Sequence, residues 1–135
     1  METPHILVID DNRVICTLIE SGLALQFEAY QVSFAYDGID GIEQAMNLRP
    51  DIILLDINMP RANGYQVTQH LRSVGNMTPI IMLSSNHQEE DKRKGYESGC
   101  NLYLTKPFYL GELCSSIQSQ LRKSGHHSIQ RKHAS

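Results

Sequence analysis

Cysteine is scarce in this 135-residue chain, and there is no excess of positive charge. The three cysteines, Cys16, Cys100 and Cys114, are odd in number and far apart. That excludes a disulfide framework and fits a reducing, cytoplasmic setting. Twelve Lys and Arg against fifteen Asp and Glu leave a net charge of −3 and a pI near 6.0, so no basic surface for nucleic acid is expected. No apolar run approaches the roughly 20 residues of a membrane-spanning helix. The opening METPHILVIDDNR has no basic region and turns acidic after five apolar residues, which excludes a signal peptide. With 41% hydrophobic and 20% charged residues, an ordinary globular domain with a real core remains.

The chain is organised around DIILLDINMP, residues 51–60. Residues 52–55 form an apolar run without alternation, which suits a strand buried on both faces of a parallel sheet. The run ends in Asp56, followed by the turn-formers Asn58, Pro60 and Gly64. A carboxylate just past a buried strand is costly unless solvent, a partner or a metal compensates it. Ligands of open α/β sheets bind at that end of the strands. Asp56 is therefore the candidate working residue.

The same pattern occurs at the start, where HILVI runs into Asp10 and Asp11. Asn12 is placed to cap a helix in which Val14, Ile15, Leu18, Ile19 and Leu23 line one face. Residues 32–35 read as a second strand. Asp37-Gly38 is a turn, and Ile39, Ile42 and Met46 mark a helix ending before Pro50. A third helix from about Asn63 turns Val67 and Leu71 inward. Pro79 opens a strand over 80–83 that ends in Ser84 and Ser85, and residues 102–104 form the fifth, ending at Thr105, Lys106 and Pro107. The last helix presents Leu110, Leu113, Ile117 and Leu121. Between Asn86 and Gly99 the only large apolar residue is Tyr96, so a helix there buries little and is expected to be weakly anchored.

Five strands alternating with five helices predict an α/β fold, a five-stranded doubly wound parallel sheet; the flavodoxin-like order 2-1-3-4-5 is the arrangement taken for it. The folded domain is expected over residues 1–123, with residues 124–135 a disordered polar tail. In that order strands one and three flank the switch point, bringing Asp10, Asp11 and Asp56 together. Two like charges about 4 Å apart repel by roughly 4 kcal/mol at an effective dielectric near 20. Three carboxylates in one cleft therefore call for a cation. Hard oxygen ligands select Mg²⁺ or Ca²⁺, and Mg²⁺ suits a site of few carboxylates plus a phosphate. The bland reading makes Asp10 and Asp11 mere helix caps, but it leaves Asp56 unexplained. Ser84 and Lys106 fall on the same sheet edge, where a hydroxyl and an ammonium suit an anion that comes and goes.

In order and spacing, the acid pair Asp10 and Asp11, LLDINMP around Asp56, MLSS after Pro79 and LTKPF at Lys106 resemble the receiver domain of two-component response regulators. The resemblance covers residues 5–122 and is closest to the stand-alone, chemotaxis-regulator type. It implies that Asp56 accepts a phosphoryl group from a sensor histidine kinase or a histidine phosphotransfer protein. It also implies Mg²⁺ held by Asp11, Asp56 and the backbone carbonyl of Asn58, with Asp10 acting through water. Ser84 and Lys106 would contact the phosphoryl group, Ser84 and Tyr103 would form the switch, and the Lys106-Pro107 peptide would be cis. Phosphorylation is then expected to bury the Tyr103 ring and shift the segment before it. The face of helix four, strand five and helix five would bind a downstream protein or a second copy. Such a protein is a phosphoacceptor that assists its own phosphorylation and dephosphorylation rather than an enzyme. No direct contact with nucleic acid or membrane is expected.

Ser85, Cys100 and Asn101 depart from the family pattern, the last two where many winged-helix regulators carry Ala and Asp. Their dimer interface is therefore not simply transferable. One rival reading makes this the receiver of a longer regulator whose output domain is missing. A haloacid-dehalogenase-type phosphatase would need an acid at position 58, which is Asn. A flavin module would need a phosphate cradle where the loop after strand one is acidic.

Overall fold

The structure, a computed structural model, describes residues 3–126 and 129–132. In chain order the elements are β1 (His5–Ile9), α1 (Arg13–Gln26), β2 (Gln31–Ala35), α2 (Gly38–Leu48), β3 (Ile52–Asp56), α3 (Gly64–Ser73), β4 (Ile80–Ser84), α4 (Glu89–Ser98), β5 (Leu102–Thr105) and α5 (Leu110–Lys123). The strands are all parallel, in the order β2-β1-β3-β4-β5. This is the expected topology.

Both faces of the sheet are covered, which is why the strands read as unbroken apolar runs. Successive side chains of a strand point to opposite faces. Thus Ile6, Val8 and Leu54 join Leu23, Leu113, Ile117 and Leu121 beneath α1 and α5. Leu7, Ile9 and Leu55 join Ala45, Val67 and Leu71 beneath α2 and α3. The register pairs Ile9 with Leu55, Asp56 with Leu83 and Ser84 with Thr105, so the strands end nearly level. The residues that follow them share one edge.

Two expectations need correction. The apolar stripe of α1 is not all core, because Val14 and Leu18 are 67% and 62% exposed while Ile19 and Leu23 are buried. The helix turns Gly22 toward Leu110, whose Cδ1 would lie 2.4 Å from an added Cβ. The buried face of the helix is centred on Cys16, Ile19 and Leu23, which leaves Val14 and Leu18 on its flank. The segment after α5 is also not the expected disordered tail over residues 129–132. Ile129 is 2% exposed, and Arg131 forms an antiparallel bridge with Phe27. A single aliphatic residue suffices there because a seam between α1 and α5 receives it. The rest of that expected tail beyond residue 126 lies outside the described residues.

Candidate functional site

The acids, Ser84 and Lys106 each end or follow a strand whose burial leaves its backbone little freedom. Asp10 is 2% exposed, and its amide donates to the Ala35 carbonyl at 3.0 Å. Its Oδ1 accepts from the Asn12 amide at 2.9 Å. Asn12 in turn caps α1, its Oδ1 accepting from the amides of Val14 and Ile15. Asp56 ends β3 at 8% exposure. Behind it the start of α3 comes so close that a Cβ on Gly64 would sit 2.6 Å from the Asp56 carbonyl oxygen. Only glycine permits that approach.

One oxygen from each of Asp10, Asp11 and Asp56 lies within 4.8 Å of the others, and Asp11 is the exposed member. The Lys106 Nζ stands 3.2 Å from Asp10 Oδ2 and 3.3 Å from Asp56 Oδ1. Lys106 is held in turn: its amide donates to the Ser84 carbonyl at 2.7 Å, and its peptide bond to Pro107 is cis. Burial first, then the neighbouring Asp10, push the Asp56 carboxyl above its ordinary range, while Lys106 pulls it down. An all-oxygen acid cluster with an open side fits a hard divalent cation. Asn58 follows two residues after Asp56 in an exposed position.

Ser84 is fully buried, and its Oγ accepts from the Asn86 amide at 3.0 Å. The Asn86 carbonyl accepts from the Tyr103 hydroxyl at 2.5 Å. Ser84 and Tyr103 are thus two ends of one hydrogen-bonded link. The Tyr103 ring, expected to become buried on activation, is only 7% exposed here.

Sequence reasoning did not find what else holds α4. The Tyr65 hydroxyl donates to the Asp91 carbonyl at 3.2 Å, and the Tyr96 hydroxyl accepts from the Tyr103 amide at 3.2 Å. Apolar periodicity misses both, because each contact is polar and made at a ring tip. Asn101 departs from the family pattern. Its Oδ1 accepts from the Ile80 amide and from Arg72 Nη2, both at 2.9 Å, so it is committed inside the molecule. Cys16 sits under the site with its Sγ 3.5 Å from the Asp10 carbonyl. Burial and the nearby Asp10 push its thiol up to about 11, which leaves it a core residue rather than a nucleophile.

The model of the response regulator receiver domain matches residues 6–118. The chain belongs to this family. The receiver is 38% identical over 125 residues to the transcriptional regulatory protein PrrA of Mycobacterium leprae, covering 93% of this chain and 53% of that protein. It is 38% identical over 123 residues to the DNA-binding dual master transcriptional regulator RpaA of Synechocystis, covering 90% and 50%. It therefore spans about half the length of these curated relatives. Among solved structures, the receiver domain of Francisella response regulator 1452 superposes with a TM-score of 0.84 at 30% identity, covering 90% of this chain and 99% of that one. The receiver domain of the Pseudomonas aeruginosa sensor histidine kinase PA1611 gives 0.80 at 35% identity, covering 90% and 99%, and holds a magnesium ion in its active-site cleft. Membership of the receiver family displaces the phosphatase and flavin alternatives.

Proposed function

We propose that Asp56 is the phosphoryl acceptor of this receiver. The observation that carries the reading is the meeting of Asp10, Asp11, Asp56 and Lys106 at one sheet edge. An Asp56 oxygen attacks the phosphorus of a phosphohistidine, the phosphorus–nitrogen bond breaks, and the imidazole leaves. The donor is a sensor histidine kinase or a histidine phosphotransfer protein. Asp11, Asp56 and the Asn58 carbonyl would hold Mg²⁺, with Asp10 acting through water. When bound, the ion supplies charge neutralisation at the phosphoryl oxygens. Lys106, already between Asp10 and Asp56, is placed to pair with the incoming anion, and Ser84 to donate its hydroxyl to it. By binding the transferring group, the same residues assist both phosphorylation and dephosphorylation.

The donor's landing place is the corner beside Lys106. There Val14 and Leu18 are exposed next to an apolar hollow of about 470 Å³ lined by Ile15, Leu18, Ile19, Pro107 and Phe108. Output leaves through Ser84, Asn86 and Tyr103 to the face of α4, β5 and α5, which binds a protein partner or a second copy. The length of the relatives favours a second reading, in which this receiver controls an output region elsewhere in a longer protein. DNA contact would then belong to that region. The site of action is the cytoplasm, and among the described residues no helix is long and apolar enough to cross a membrane.

Acetyl phosphate or beryllofluoride with Mg²⁺ should modify the wild type and leave Asp56→Asn unmodified, as read by intact mass and by NMR. Equal labelling of both would overturn the assignment. Leu18→Glu should slow transfer from a phosphorylated kinase while leaving acetyl phosphate labelling unchanged.

A further inference from the structure

The described residues beyond α5 make contacts of a kind that a loose tail does not. The Ile129 side chain is buried in the cluster that contains Phe27, Leu23 and Leu121. Gln118, itself 7% exposed on α5, spends its whole amide on one residue. Its Oε1 accepts from the Ile129 amide at 2.9 Å, and its Nε2 donates to the Ile129 carbonyl. On the α1 side the Glu28 amide donates to the Gln130 carbonyl and the Lys132 amide to the Gln26 carbonyl, each at 2.8 Å. The Arg131 guanidinium lies over the Phe27 ring, 5.6 Å from its centroid. Lys132 Nζ reaches the Ala24 carbonyl at 2.5 Å.

We propose that the α1–α5 seam is a docking groove for an extended peptide, and that its occupant is this chain's own segment 129–132, held in cis. The recognised pattern is an aliphatic residue, any residue, then arginine. The groove has an apolar hole for the first, a buried carboxamide that reads its backbone, and an aromatic face for the third. Gln118 is the decisive element. A buried carboxamide on a helix is costly when unpaired, and this one finds both partners only in the docked strand. The strand runs antiparallel to residues 26–28, so main-chain bonds supply attachment and the side chains supply selectivity. A docked segment seals the seam against a second copy. It also ties the far end of α1, whose start follows Asp11, to the far end of α5, whose start follows Lys106.

The test uses the full chain and does not involve phosphorylation, so its outcome is separate from that of the acceptor assignment. Hydrogen exchange should show the amides of Glu28, Ile129 and Lys132 protected at least about tenfold over coil rates in a monomer. Ile129→Asp should abolish that protection while far-UV circular dichroism stays native. A labelled peptide of residues 124–135 should then bind the Ile129→Asp chain saturably and the wild type not at all. The same peptide with Asp in place of Ile129 should bind neither. Arg131→Ala, a milder change, should give a partial loss of protection if Ile129→Asp fails to fold. Coil-like exchange at Ile129 and Lys132 in the wild type would overturn the proposal, as would equal peptide binding to both chains. A wild-type dimer that separates on Ile129→Asp would show the segment exchanged between two copies and would overturn docking in cis.

Discussion

Lys106 and Asp56, fifty residues apart in the chain, face each other with Nζ 3.3 Å from Oδ1. The ammonium also reaches Asp10, so one cation serves two buried carboxylates and leaves their mutual repulsion partly uncompensated.

That imbalance has a consequence for stability. The Asp56 carboxyl is raised by burial and then by Asp10, against the pull of Lys106. A carboxyl with a raised folded pKa favours the fold when protonated. Its contribution is present at acid pH and is lost as pH rises through the folded pKa. In chelator at neutral pH, Asp56→Asn should therefore be more stable than the wild type, by on the order of 1 kcal/mol. The gain should shrink as pH falls through the carboxylate range. Urea denaturation across that range checks it, and a pH-independent difference would remove Asp56 ionisation as the cause.

Mg²⁺ should stabilise the wild type, since a cation site built from β1 and β3 exists only when they are paired. The increment is about 1.4 kcal/mol for each tenfold excess over the dissociation constant. Asp11 is exposed, so Asp11→Asn should fold normally and lose most of this response. A melting temperature indifferent to Mg²⁺ in the wild type would contradict a metal site.

Ser84→Ala removes the acceptor of the Asn86 amide from a fully buried position. The expected cost is about 1 kcal/mol, small enough to keep the fold. The larger effect should be on signalling: the exchange of Asn86, Tyr103 and α4 amides should respond less to beryllofluoride. A full wild-type response would deny Ser84 a switching role.

Gly95→Ala probes the other end of the link. An added Cβ would lie 2.9 Å from Cδ2 of Tyr103 and 3.1 Å from the Met82 sulfur. The ring should move outward and release the Asn86 carbonyl, at a cost of roughly 1–3 kcal/mol. Greater solvent exposure of Tyr103 by NMR checks this. Tyr103→Phe, which keeps the ring and loses the hydroxyl, should cost less and leave the ring buried. An unmoved ring in Gly95→Ala would show that the α4 backbone yields instead.

The strand–helix alternation and the carboxylates at two strand ends were legible because they depend on local pattern. A strand covered on both faces must be apolar throughout, and the charge that ends it stands out. From these runs follow the parallel sheet and its five helices, while the grouping of Asp10, Asp11, Asp56, Ser84 and Lys106 also needs the strand order 2-1-3-4-5. What only the tertiary structure decided was orientation and pairing across long separations. Helical spacing cannot say that Val14 and Leu18 face outward, since the packing of Cys16, Ile19 and Leu23 against the sheet and α5 sets which part of the apolar stripe is covered. Composition marks residues 124–135 as too polar to fold alone, which is true of any segment judged without its receptor. The hole for Ile129 and the carboxamide of Gln118 exist only once α1 and α5 are side by side. Likewise, the tyrosine contacts on α4 are hydrogen bonds between elements, and hydrogen bonds made in three dimensions leave no period in one.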